Sequence, residues 1–387
     1  MERRVTQSSR ARINAALLGG SCKRLYLHSL DSDGPPAALA CPQDPSVFVT
    51  DENGIKQATV QYFAELFRRT PRAPSQKPWM TTPSIVRIRE CASQSPFQWP
   101  QLLTLSDLRA LLRKGNARPS PGPDLWEKWC VKALSDSALA LVLDLLNYEI
   151  RTSHFPESVK PAIMTTIFKR GSRTDLANYR GITCSNLIKN LPFAWLNHLL
   201  SRYITKHGIL PETQVATQPG VQARDLTSFL AQRKGFDRLE PEGFYDAVRA
   251  YGLPLSLIDL DKSAQDNVPY QVKTVHGLTQ PFTLSGVTQQ GGPFSPLKST
   301  LTTSMVNHWL HDILTDDDRL YFVTQQSRLG KPHTPDDRLQ LRAQMVEAMD
   351  DSILLMPSLD AVYTSALHAD RFQAAYGWET NWAKSLL

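Results

Sequence analysis

Two carboxylates set side by side between apolar stretches are the first candidates for chemistry. Asp350-Asp351 lies within Glu347-Ala348-Met349-Asp350-Asp351-Ser352-Ile353-Leu354. Met345–Met349 and Ser352–Met356 read as strands, so the pair falls at a tight strand turn and projects beyond a sheet edge. Carboxylates held together repel, and a divalent cation relieves the repulsion. Asp316-Asp317-Asp318 and Asp336-Asp337 lack such flanks and read as solvated loop residues.

Three further segments carry weaker signals. In Gly286–Leu297 a strand enters the Gly-rich turn Gln289-Gln290-Gly291-Gly292-Pro293 and opens a helix at Ser295 or Pro296. Glycine there lets the backbone approach a ligand closely. Ser120-Pro121-Gly122-Pro123-Asp124 is a stiff turn between helices. Lys169-Arg170-Gly171 and Asn178-Tyr179-Arg180-Gly181-Ile182 flank a polar loop. Lys offers phosphate a point charge and Arg a planar fork. Taken singly, each of these reads equally well as a structural turn or a solvated basic loop.

The elements that must position these residues alternate in blocks. Helical spacing runs over Ala58–Arg68, from Ser106 as N-cap to Lys114, over Leu125–Thr152 with a break near Ser135, and over Leu187–Lys206. Asp51-Glu52-Asn53-Gly54 reads as a turn, residues 70–100 as a Pro-rich loop, and Ala162–Phe168 as a strand. The second half predicts helices over Gly243–Ala250, Pro254–Gln265, Pro296–Leu314 and Ser358–Tyr376. It also predicts a hairpin of Val268–Val275 and Phe282–Val287 about His276-Gly277, and a polar loop over 315–340. Residues 1–45 read as poorly structured. The mixture predicts an α+β fold.

Composition bounds the rest. The 387 residues are 41% hydrophobic and 21% charged, enough for a sizeable core in two or three subdomains. Net charge is +6, which permits a polyanionic partner without requiring one. Five cysteines (22, 41, 91, 130 and 184) contain no C-x-x-C pair, which argues against a disulfide framework or a zinc site and suits a reducing compartment. No apolar run approaches a membrane span, and no secretory signal is evident, so an intracellular site in nucleus or cytoplasm is expected, with no membrane partner and no call for an obligate oligomer.

The four segments fall in one order that resembles the reverse transcriptase domain of non-LTR (LINE-type) retrotransposons. Ser120–Asp124, Lys169 with Asn178–Ile182, Phe236-Asp237, Gln290–Pro296 and Asp350-Asp351 follow that order, and Gly377–Ser385 is similar to the last palm motif. Roughly residues 47–387 are covered. The resemblance implies a right-hand polymerase: a basic connector over 1–46, a helical lead-in over 47–118, fingers over 119–215, a palm with an antiparallel sheet over 216–387, and no thumb. It implies RNA-directed DNA synthesis by two-metal nucleotidyl transfer, with RNA template, DNA primer and dNTPs as partners and Mg²⁺ or Mn²⁺ as cofactor. Asp350 would ligate metal with Asp351 beside it. Lys169 and Arg180 would bind the triphosphate, and Phe236 would sit under the sugar. Gln290 and Gly291 would line the nucleotide pocket, and Lys384 would lie near the leaving phosphates.

One departure is central. The resembled palm strand ends in an aspartate six residues before the position of Asp237, and Ala231 stands there. Asp225–Arg233 reads as the end of a helix, as if a deletion had removed the strand as well. Asp237 and Asp225 are the carboxylates nearest in sequence that could substitute. The chain is therefore expected to be a truncated, degenerate copy, an inactive remnant that at most binds nucleic acid. An unrelated α+β module with a solvated Asp-Asp turn is the remaining alternative.

Overall fold

The computed structural model describes residues 34–41, 47–68, 76–116, 119–211, 213–214, 230–231, 239–315, 320–323, 340–348 and 351–380. The chain divides into two compact units. One comprises residues up to 60, 164–182 and 272–280, and the other comprises 61–163, 183–271 and 281–387.

In chain order the elements begin with β1 (Leu39–Ala40), β2 (Phe48–Val49) and helix α1 (Glu52–Leu66). Asp51-Glu52-Asn53-Gly54 is not a free turn but the start of α1: the Asp51 carboxylate accepts the Gly54 N–H at 2.8 Å. Next come α2 (Pro83–Gln94), α3 (Leu105–Arg113), α4 (Lys128–Lys132) and α5 (Asp136–Thr152). Helix α2 falls in the stretch expected to be a Pro-rich loop. Pro83 occupies its first turn, where a missing N–H costs nothing. Helix α3 is capped by Thr104 rather than Ser106, through a reciprocal box with Asp107. Ser135 breaks the next helical stretch, as expected, by capping α5.

Strands β3 (Ala162–Phe168) and β4 (Tyr179–Ser185) precede α6 (Leu187–Lys206). Then follow β5 (Leu230–Ala231), α7 (Pro241–Ala250), α8 (Ser256–Gln265), β6 (Val268–Thr274), β7 (Gly277–Leu278), β8 (Phe282–Leu284) and α9 (Ser295–Ile313). The chain closes with β9 (Leu320–Val323), β10 (Gln340–Ala343), β11 (Met345–Ala348), β12 (Asp351–Leu354) and α10 (Leu359–Ala375). β9, inside the stretch 315–340 read as loop, pairs antiparallel with β10, which starts at its end. The largest sheet has the order β4-β3-β6-β7, with β8 also on β6, and a second sheet has the order β11-β12-β5. The fold is thus α+β.

The larger unit is built around α9, which is buried over most of its length although rich in Ser and Thr. Its hydroxyls turn back on their own helix: Thr302 donates to the Lys298 carbonyl at 2.8 Å and Ser304 to the Thr300 carbonyl at 2.6 Å. That removes the cost of burying them unpaired. Trp79, wholly buried, packs tilted against Trp309 and edge-to-face against Phe372 and Tyr376, with ring centroids 5.0 to 6.0 Å apart. Its indole N–H donates to the Tyr376 hydroxyl at 2.9 Å, and that hydroxyl donates to Asp246 at 3.0 Å. Lys77 and Arg249 neutralise Asp246. The segment before α2 is therefore part of this core.

Candidate functional site

The Asp-Asp hairpin is held from beneath. β11 and β12 pair antiparallel, with Ala348 opposite Asp351 and Glu347 opposite Ser352. Met349 and Asp350 are the two connecting residues and lie outside the described set, as do Asp225, Phe236, Asp237 and Lys384. Glu347 points into a buried polar network, which its place on the same strand face as buried Met345 foreshadows. Its Oε2 accepts from Gln214 at 3.2 Å and Asn307 at 3.1 Å, and its Oε1 has no partner. Gln344 adds a bond of 2.9 Å to Asn307 Oδ1. Burial raises the Glu347 pKa to about 8, against the lowering effect of the Asn307 bond, so the group is held neutral.

On the other edge, β12 pairs with β5. Asp351 lies opposite Ala231, and Ser352 opposite Leu230. Residues 230–231, read from sequence as a helix end, are thus a strand beside the Asp-Asp hairpin. Cross-strand partners hold their Cβ atoms about 5 Å apart, close enough for two carboxylates to share a cation. Alanine carries no ligating atom. Asp246, on α7, is committed to Lys77, Arg249 and Tyr376.

Gln290 and Gly291 lie in a turn that is locked in place. The Gln290 carbonyl accepts from the Thr183 N–H at 2.7 Å, and Gln289 bridges Ser185 and Tyr270 at 2.9 and 2.7 Å. Gly291 has φ 106°, a conformation closed to other residues at low cost. Behind the turn is a cavity of about 30 Å³, whose walls include Lys189, Asp261, Gln265, Gln289 and Lys298. Lys298 forks onto Asp261 at 2.9 and 3.1 Å. Lys189 donates to the Lys160 carbonyl at 3.4 Å, and burial, then repulsion from Lys160, lowers its pKa to about 7. A lysine inside an otherwise buried helix was the sequence signal for Lys298.

The smaller unit holds Lys169 and Arg180. Lys169 follows β3 and its N–H donates to the Asn178 carbonyl at 2.8 Å, closing the loop between β3 and β4. Gly171 has φ 95°, and a Cβ there would meet the Asn178 side chain at 2.8 Å, so the loop requires glycine. Arg180 is exposed on β4 between buried Tyr179 and Gly181. Both basic side chains are presented to solvent from adjoining strands.

These elements and motifs describe an α+β protein of reverse-transcriptase-like sequence. No protein-family model matches the chain. Over 199 residues it is 27% identical to the RNA-directed DNA polymerase from mobile element jockey of Drosophila melanogaster. The match covers 45% of this chain and 22% of that protein, so the chain spans less than a quarter of the relative's length. Among the described residues no helix is long and apolar enough to cross a membrane.

Proposed function

We propose that this chain is a fingers–palm domain of the retrotransposon reverse transcriptase type that engages RNA and primer but does not extend them. The similarity to the jockey polymerase and the order of the motifs support the polymerase part. The cross-strand pairing of Ala231 with Asp351 carries the rest. Two-metal nucleotidyl transfer needs carboxylates from both strands to clamp the cations between attacking and leaving oxygens. On this reading the position opposite Asp351 holds alanine where a carboxylate would be needed. Lys169 and Arg180 remain suited to a triphosphate or a phosphodiester backbone. Gln290 and Gly291 remain on a rigid turn suited to a nucleotide edge.

Because β5 is present, restoring the site takes one residue rather than a whole strand. Primer extension on an RNA template with dNTPs and Mg²⁺ or Mn²⁺ compares the chain with Ala231→Asp and with Ala231→Asp/Asp350→Ala. The expected result is silence, extension and silence. Extension by the unaltered chain, lost in Asp350→Ala, would overturn the inactive reading. Silence from Ala231→Asp would refute the idea that this residue is the decisive lesion.

A further inference from the structure

The turn Ser120–Asp124 leads into a surface that the reading above leaves unused. Leu125, Trp126 and Trp129 are 74%, 50% and 46% exposed. Large apolar side chains bunched in water mark an interaction surface. This one is held rigidly. The Asp124 N–H donates to Asn186 Oδ1 at 3.2 Å and the Leu125 N–H to the Gly122 carbonyl at 3.1 Å. Gly122 lies so close to the start of α6 that a Cβ would meet Asn186 N at 2.5 Å. Leu125 takes φ 59°, which costs a residue with a Cβ. A pinned, strained turn that turns its apolar side chains outward is costly to keep for packing alone.

Charge points to the occupant. Lys128 and Lys132 sit at the two ends of α4, one turn apart on the same face, where like charges repel. Burial and Lys132 both push the Lys128 amine down. Lys128 also donates to the carbonyl of Lys114, next to exposed Arg113 at the end of α3. The two carboxylates of the patch bond locally, Asp124 to the Trp126 N–H at 3.1 Å and Glu127 to the Trp129 indole N–H at 2.8 Å, and are set against Arg113, Lys128 and Lys132. Aromatic faces interleaved with lysines suit flat bases strung on phosphates. An acidic peptide would meet the lysines but offers no regular series of flat rings to the two indoles.

We propose that Leu125–Lys132 is a stacking platform for single-stranded polynucleotide, with Trp126 and Trp129 taking bases and Lys128 and Lys132 taking phosphates. The choice of polynucleotide rests on the polymerase reading. The test is fluorescence anisotropy of a labelled oligouridylate, roughly 20 nucleotides long, titrated with the full chain across a salt series. Trp126→Ala and Trp129→Ala should each weaken binding about tenfold, while the Phe variants stay near wild type. Lys128→Gln and Lys132→Gln should each flatten the salt slope by ~0.7. Equal binding by the alanine variants, equal loss in the alanine and phenylalanine variants, or no binding by the unaltered chain would overturn the proposal. A change in sedimentation rather than RNA affinity on Trp→Ala would do so too, and would identify a second copy as the occupant. The Ala231→Asp extension assay reads a different residue, so the two readings fail separately.

Discussion

Glu149 makes this fold sensitive to pH. It lies on α5 beside Leu146 and Ile150, is 0% exposed, and neither carboxylate oxygen has a hydrogen-bond partner. Burial alone raises its pKa from 4.5 to about 8. In the folded chain the group is therefore protonated at neutral pH, whereas in the unfolded chain it is ionised. Between those two values the folded state binds the extra proton, so stability falls as pH rises. At about 1.36 kcal/mol per pH unit, holding Glu149 neutral costs roughly 3 kcal/mol at pH 7. That is a large share of the ~5–15 kcal/mol on which a domain stands.

Glu149→Gln removes the proton linkage while keeping shape. Urea unfolding of wild type and Glu149→Gln at pH 5, 6 and 7 should show the variant gaining about 2.5 kcal/mol relative to wild type across that range. Glu149→Leu should add a further gain at every pH, because the unmet polar atoms go as well. The window is chosen with the other groups in mind. Lys189, lowered to about 7, changes its contribution only above that pH, where its loss of a proton in the folded state makes stability rise. Glu347, raised by burial, and His308, lowered by it, contribute to the pH dependence of both proteins alike and cancel in the difference. A wild-type to Gln difference that is flat with pH would refute the reasoning and mean that Glu149 reaches water or a partner.

Three substitutions test other parts of the framework. Lys298→Met strands Asp261, 2% exposed, with only an amide partner in Gln265, and should cost about 3–5 kcal/mol in unfolding free energy. Leu125→Gly relieves the left-handed backbone and should raise stability by about 1 kcal/mol, with the melting temperature rising accordingly. Gly122→Ala drives a Cβ into the Asn186 backbone and should cost about 2 kcal/mol, seen as a lower urea midpoint.

Where local chemistry decides an element, it could be read in advance. Ala162–Phe168 and Leu187–Lys206 form as their residue pattern predicts. Ser135 divides two helices because its hydroxyl accepts the Ala138 N–H. Helix α2 was hidden by the prolines around it, since a Pro that starts a helix and a Pro that prevents one look alike without knowledge of what Trp79 packs against. β4, β9 and β10 were missed for a related reason: their pairing comes from distant partners, not from their own alternation. The cavity beside the Gly-rich turn shows the same limit. Lys189, Asp261 and Lys298 come from three helices, and no spacing within one segment links them.

The stretch around Ala231 shows how a residue pattern can hide a strand. Counting residues back from Asp237 places Ala231 where the resembled motif has an aspartate. Reading the neighbouring Leu and Phe residues as a helix end then inflated that difference into the loss of a strand. A two-residue strand has too short a pattern to display period two, and only its ladder to Asp351 and Ser352 defines it. The distinction matters for repair. A domain that lost a buried central strand would not be rescued by any single side chain. On the proposed reading, a domain that keeps the strand needs only a carboxylate at position 231, opposite Asp351.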